Sequence, residues 1–214
     1  MTQTTKGILF DMDGTLWDSS EQVTQAWNTV LSREPEASLI HLTTEQMQSL
    51  MGKTMTDIFA SMLPSLSESR RTEIGKQCCE EETHYLSEHG GTLYPGVEET
   101  LRKLGRNYRL FIVSNCQDGY IEAFLKYYGF AGLFTDTECF GRTGKSKGEN
   151  IRLLLERNHL AKAVYVGDTQ LDFESSQFAG IPFLHAAYGF GEVSGCVPSV
   201  HTFRELPEAV SGIL

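Results

Sequence analysis

The sequence predicts an α/β protein: a doubly wound parallel sheet with helices on both faces and an α-helical domain inserted early in the chain. Two observations carry that expectation. From Val97 onward short apolar runs alternate with helical stretches, residues 110–113, 163–166 and 181–184 reading as strands, and repeated βα units of this length build a parallel sheet. Between about Asp18 and Gly90 apolar residues recur only at helical spacing, with no strand candidate. The expected division is 1–17 with 91–214 as the α/β core and 18–90 as the helical insertion.

The first strand is the Ile8-Leu9-Phe10 run, bracketed by Gly7 and Gly14; its branched and aromatic content suits a buried pleated surface. A helix follows with Val23, Trp27, Val30 and Leu31 on one face, Ser19 or Ser20 as its cap and Pro35 at or beyond its end. Helical spacing resumes at Thr43 with Met47, Leu50 and Met51, passes through Ile58, Phe59 and Met62, and fills a long stretch over 74–86. Gly90, Gly91, Pro95 and Gly96 mark the exit. Next come a helix over 97–104, the strand 110–113, a helix over 118–127 and a weaker strand near Phe134. A helix over 149–157, the strand 163–166, a helix over 173–178, the strand 181–184 and one short closing helix within 203–214 complete the chain.

A chain of 214 residues is long enough for a sizeable core. Its net charge of −10, with no basic stripe, argues against a nucleic acid polymer as partner. Five cysteines, Cys78 and Cys79 adjacent, have neither disulfide-framework nor zinc spacing, which fits a reducing cytoplasm. Neither a signal peptide nor a membrane anchor is expected from the polar N-terminus and the absence of a long apolar run.

The chemistry concentrates at strand ends. Asp11 and Asp13 close the first strand two residues apart, so extended backbone points both side chains the same way. At about 4 Å and an effective dielectric near 20 their repulsion is on the order of 4 kcal/mol. A hard divalent cation would neutralise it; an Asx-turn with Gly14 at positive φ is the plainer reading. Ser114-Asn115 ends another strand just before a helix, either a phosphate corner or a simple N-cap. Gly144-Lys145-Ser146-Lys147-Gly148 offers two cations ahead of a helix, ordinarily a solvated surface. Gly167-Asp168 ends a third strand, and ligands of open α/β sheets bind at that edge. Trp17 and Trp27 read as packing, and Cys116 as a small buried residue.

These four segments, in order, resemble the four motifs of the haloacid dehalogenase-like (HAD) phosphohydrolases, over about residues 6–191. The resemblance implies a Rossmann-like core with a small helical cap, and a Mg2+-dependent phosphatase acting on a small phosphorylated metabolite. It implies Asp11 as nucleophile, Asp13 as acid and then base, and Ser114 gripping a phosphate oxygen, with Thr15 and Asn115 as further substrate contacts. The metal would be held by Asp11, the Asp13 backbone carbonyl and Asp168, with Asp172 orienting from behind. For the third-motif lysine, Lys147-Gly148 before a helix matches one common form, whereas counting back from Glu156-Arg157 points to Lys145; Lys147 is preferred. The commoner Lys-Pro pattern is missing here. An acid at position 13 sets the chain apart from dehalogenases and phosphonate hydrolases of the family. Leu50-Met51-Gly52-Lys53-Thr54 is similar to the cap's substrate loop, from which Lys53 would reach an anionic group. The pattern is nearest the phosphoglycolate phosphatase-like group, and sugar phosphates or nucleotide monophosphates fit equally well. Two rivals stand beside this: a β-phosphoglucomutase-like phosphotransferase, and a non-catalytic binding or regulatory protein, which would be expected to have lost Asp11, Asp13 or the lysine.

Overall fold

The computed structural model describes residues 5–214; residues 1–4, part of the polar N-terminus, lie outside the described residues. Six parallel strands form the main sheet in the order β5-β4-β1-β6-β7-β8. They are β1 (Lys6–Phe10), β4 (Arg109–Ser114), β5 (Asp136–Cys139), β6 (Lys162–Gly167), β7 (Phe183–Ala186) and β8 (Ser199–Val200). β1 is central because Ile8, Leu9 and Phe10 are buried on both faces, as strands between two helix layers must be. Ile8 pairs with Leu110 on one side and Val164 on the other. The chain crosses from β1 to β4 and later returns to β6 on the opposite flank, so a topological switch point lies at the carboxyl end of β1.

Alternation along each strand sorts side chains between two cores. Ile8, Phe10, Leu110, Ile112, Val164 and Val166 face the larger one, together with α5 (Val97–Leu104), α6 (Tyr120–Tyr128) and α10 (Leu206–Ile213). Leu9, Phe111, Val113 and Tyr165 face the other, covered by α8 (Lys147–Arg157) and α9 (Gln170–Ala179). Helices thus lie on both faces.

Four helices precede α5 in the chain: α1 (Ser20–Leu31), α2 (Thr44–Leu50), α3 (Met55–Met62) and α4 (Glu68–His89). Trp27 of α1 stacks on Phe59 of α3 with ring centroids 4.9 Å apart. Where the chain enters and leaves this block, β2 (Trp17–Asp18) pairs antiparallel with β3 (Thr92–Leu93). Two-residue strands carry no alternation to read, which is why neither is visible in the sequence. The same brevity hides β8 and α7 (Phe140–Thr143).

Several boundaries differ from expectation, three of them for clear local reasons. The strand expected near Phe134 lies at Asp136–Cys139, since Phe134 is core while Asp136 and Glu138 of this edge strand pair with Arg157. The helix expected from 149 starts at Lys147, because Ser146 and Glu149 form a capping box. β7 begins after Pro182, which has no N–H to give the ladder. Among the described residues, no helix is long and apolar enough to cross a membrane, and all five cysteines are free.

Candidate active site

The carboxyl ends of β1, β4 and β6 bring Asp11, Ser114 and Asp168 to one edge of the sheet. After Phe10 the Asp11 N–H donates to the Val166 carbonyl at 2.9 Å, and the chain then folds back so that Thr15 and Leu16 N–H groups donate to the Met12 carbonyl. Gly14 makes this turn possible. Its φ is +80°, and a side chain there would run into the Asp168 carboxylate.

Lys147, at the first turn of α8, is buried with its Nζ 2.9 Å from Asp11 Oδ1 and 2.7 Å from Asp172 Oδ1. Asp172 is fully engaged: its Oδ2 accepts from the Thr169 N–H at 3.0 Å and the Thr169 hydroxyl at 2.6 Å, and the Tyr165 hydroxyl lies 3.3 Å from Oδ1. Asp168 Oδ2 accepts from the N–H groups of Phe190, at 2.8 Å, and Gly191, at 3.3 Å. Two carboxylate oxygens remain. Asp11 Oδ2 and Asp168 Oδ1 are buried without any hydrogen-bond partner.

Asp11, Asp168 and Asp172 can each present an oxygen within 4.8 Å of the others. Three carboxylates facing one ammonium leave two negative charges uncompensated. Burial, and then the Asp172 charge, push the Asp11 carboxyl well above its ordinary range and the Asp168 carboxyl up to about 7. Burial opposes the Lys147 charge, but Asp11 and Asp172 outweigh it and hold the ammonium protonated. The orphaned oxygens and the uncompensated double charge fit a hard divalent cation with oxygen ligands.

Asp13 is oriented differently. Its Oδ1 accepts from the Ser19 hydroxyl at 2.6 Å and the Tyr120 hydroxyl at 2.7 Å, and its carboxylate is not part of the three-carboxylate cluster. Burial raises its pKa, while those two hydrogen bonds pull it back. Neither partner was legible. Ser19 reads as a helix cap, yet at the start of α1 it makes no side-chain cap bond and gives its hydroxyl to Asp13 instead. Tyr120 is 107 residues away.

Ser114 and Asn115 both line the pocket beside Asp11 and Asp13. Asn115 Nδ2 donates to the Gly52 carbonyl at 2.8 Å, tying the sheet edge to the loop that carries Lys53, itself a lining residue. Two expected contacts are not brought there. Lys145 is exposed, its N–H donating to Thr143 and its carbonyl accepting from Asn150, because the α8 capping box turns it outward one residue before the N-cap Ser146. Thr15 is fully buried behind the Asp13 turn and does not line the pocket. Trp27 does more than pack: it lines the pocket and donates to Glu82, an acid hidden in the sequence within the run Glu80-Glu81-Glu82. The cavity enclosed by these groups is only about 30 Å³, space for a water or two.

The family model described as "Haloacid dehalogenase-like hydrolase" matches residues 8–186. A phosphoglycolate phosphatase of Rhodobacter capsulatus is 25% identical over 217 aligned positions, covering 96% of each chain. Another, of Aquifex aeolicus, is 25% identical over 89% of each chain. Among solved structures, a haloacid dehalogenase-like family hydrolase from Streptococcus pneumoniae superposes with a TM-score of 0.80 at 22% identity, covering 98% of this chain and 100% of that one. CbbY from Rhodobacter sphaeroides, in complex with phosphate, gives a TM-score of 0.80 at 20% identity over 95% and 96%.

Proposed function

The chain belongs to the haloacid dehalogenase-like hydrolases, and from that premise we propose that it is a Mg2+-dependent phosphatase of small phosphorylated metabolites, working through an aspartyl-phosphate on Asp11. One observation carries the reading. Two buried carboxylate oxygens, Asp11 Oδ2 and Asp168 Oδ1, are left without partners, while the other Asp11 oxygen is held by Lys147. Such a pair of oxygens suits a cation shared by Asp11 and Asp168, with Asp11 placed beside it as the nucleophile.

In-line displacement at phosphorus depends chiefly on positioning and charge neutralisation. Asp11 attacks phosphorus and the bond to the ester oxygen breaks. Asp13, whose pKa is raised by burial, protonates the departing alkoxide. Asp13 then takes a proton from water as that water attacks the phosphoryl group, freeing phosphate and regenerating Asp11. Ser114, Asn115 and Lys147 hold the transferring oxygens. Asp11, the Asp13 carbonyl and Asp168 would hold Mg2+, which would supply the charge that lets a dianion approach Asp11. Asp172 positions Lys147, and its engaged oxygens suit that task better than metal ligation.

Residues 18–90 act as a cap over a core made of 1–17 and 91–214, hinged at the β2–β3 ribbon. A cavity of about 30 Å³ is too small for a phosphate ester, so substrate entry requires the cap to lift, breaking the Asn115–Gly52 hydrogen bond. Small metabolites follow from that closure. The names of the relatives support phosphatase chemistry, and five free cysteines suit the cytoplasm.

The test is turnover of p-nitrophenyl phosphate with and without Mg2+, with acid-quenched protein weighed by mass spectrometry. Mg2+-dependent turnover and a covalent phosphoryl group that disappears in Asp11→Asn are expected. Wild-type activity in Asp11→Asn would refute the scheme.

A further inference from the structure

Glu82 is an acid in this pocket that the reaction above does not use. It projects from α4, is 2% exposed, and lines the same cavity as Asp11, Asp13 and Ser114. Its Oε2 accepts from Trp27 Nε1 at 2.6 Å. Gln117 also neighbours it, and Gln117 Oε1 is itself buried without a donor. No cation compensates this acid: the groups that set its charge are its own burial, Trp27, Gln117 and Asp13, and burial carries its pKa to about 8. Its neighbour Glu80 is exposed, so the side chain facing inward is singular in the acidic run.

A carboxyl withdrawn from water without a cation keeps its proton, and an ammonium that meets it stabilises the carboxylate form instead. The remaining walls limit what that ligand is. Trp27, Met47, Leu50, Met55 and Ile58 are apolar or aromatic, a lining suited to a short carbon stem. Of the nearby cations, Lys147 is paired with Asp11 and Asp172, and Lys53, the one cation among the lining residues, is solvent-exposed. An indole and a carboxylate both attract an ammonium ion. A carboxylate-ended leaving group would instead bring a further negative charge against Glu82 and Asp13.

We propose that Glu82 selects the leaving group, and that the preferred substrate is a phosphate monoester of an amino alcohol, its ammonium paired with Glu82 and its stem against Trp27, Met55 and Ile58. The inference rests on the phosphatase reading and narrows its substrate class. It departs from the acid-bearing phosphoglycolate for which the relatives are named.

The test uses the full chain with Mg2+ and three families of ester matched at two and three carbons: aminoalkyl phosphates, hydroxyalkyl phosphates and carboxyalkyl phosphates such as phosphoglycolate. The wild-type protein is expected to favour the amine over the hydroxyl compound by at least about tenfold in kcat/KM, with the carboxylate last. In Glu82→Gln, which keeps an acceptor for Trp27, that preference falls to within about twofold, chiefly through KM. Equal or better turnover of the carboxylate overturns the inference, as does an amine preference untouched by Glu82→Gln. Should that variant not fold, the wild-type order alone decides. Failure to hydrolyse even p-nitrophenyl phosphate overturns the phosphatase reading and this one with it; turnover of that ester with the order reversed overturns only this one.

Discussion

The pocket has two walls, and they are built on opposite principles. On the sheet side Asp11 and Asp13 line the pocket, and there and behind them every charged group is held by others: Lys147 between Asp11 and Asp172, Asp172 by Thr169 and Tyr165, Asp168 by two backbone N–H groups, Asp13 by Ser19 and Tyr120. On the helical side there is one inward acid among methionines, aliphatics and an indole, with a single hydrogen bond to Trp27. A rigid, mutually constrained wall suits a reaction whose atoms must not move. An adaptable apolar wall with one polar anchor suits the choice of what is admitted.

If the sheet wall carries the chemistry, its removal is close to all-or-none. Asp11→Asn is expected to lower kcat by about 10³-fold or more with p-nitrophenyl phosphate, measured alongside circular dichroism to show the fold intact. Asp13→Asn is expected to cost about 10²–10⁴-fold with alkyl phosphates and less with p-nitrophenyl phosphate, whose good leaving group needs little protonation. A uniform loss across leaving groups would break the assignment of Asp13 as the acid. Lys147→Met leaves the buried carboxylates without their counter-charge and is expected to lower stability by about 3–5 kcal/mol, read from urea unfolding. Lys145→Ala, two residues away but exposed, is expected to change neither stability nor activity by more than about twofold.

The same wall predicts a pH dependence. Burial and Asp172 hold the Asp168 carboxyl up to about 7, against about 3.9 in an unfolded chain. The metal-free folded protein therefore keeps a proton that the unfolded chain has released; the stability this confers is complete below about pH 4 and is lost as pH rises through 7. Divalent cation competes with that proton. Added Mg2+ should raise Tm more at pH 8 than at pH 5, and equal shifts would contradict the site. Among the residues that touch Asp13, a smaller effect is expected at Tyr120→Phe: losing its hydrogen bond raises the Asp13 pKa, moving that limb of the pH–rate profile upward with less than about a tenfold loss of rate.

The difference between the walls also explains what the sequence disclosed. The sheet wall is written in short local patterns: Asp11-Met12-Asp13-Gly14, Ser114-Asn115 and Gly167-Asp168 each follow an apolar strand, so order and strand position suffice to place them at one edge. The outer structure of the βα units follows from the same alternation. The helical wall has no such grammar. Glu82 sits in an acidic run that resembles a solvated face, and only the packing of α4 against α1 turns it inward beside Trp27. Ser19 and Tyr120 act on Asp13 through contacts that no spacing encodes. Lys145 and Lys147 separate only once the Ser146 capping box is known, since it buries one and exposes the other.

The central claim is that Asp11 Oδ2 and Asp168 Oδ1 converge on one divalent cation. Calorimetric titration of the metal-free protein with Mg2+ tests it directly. One ion per chain is predicted for the wild type, with binding lost in Asp168→Asn while the fold is retained. Equal affinity in the two proteins would contradict the account.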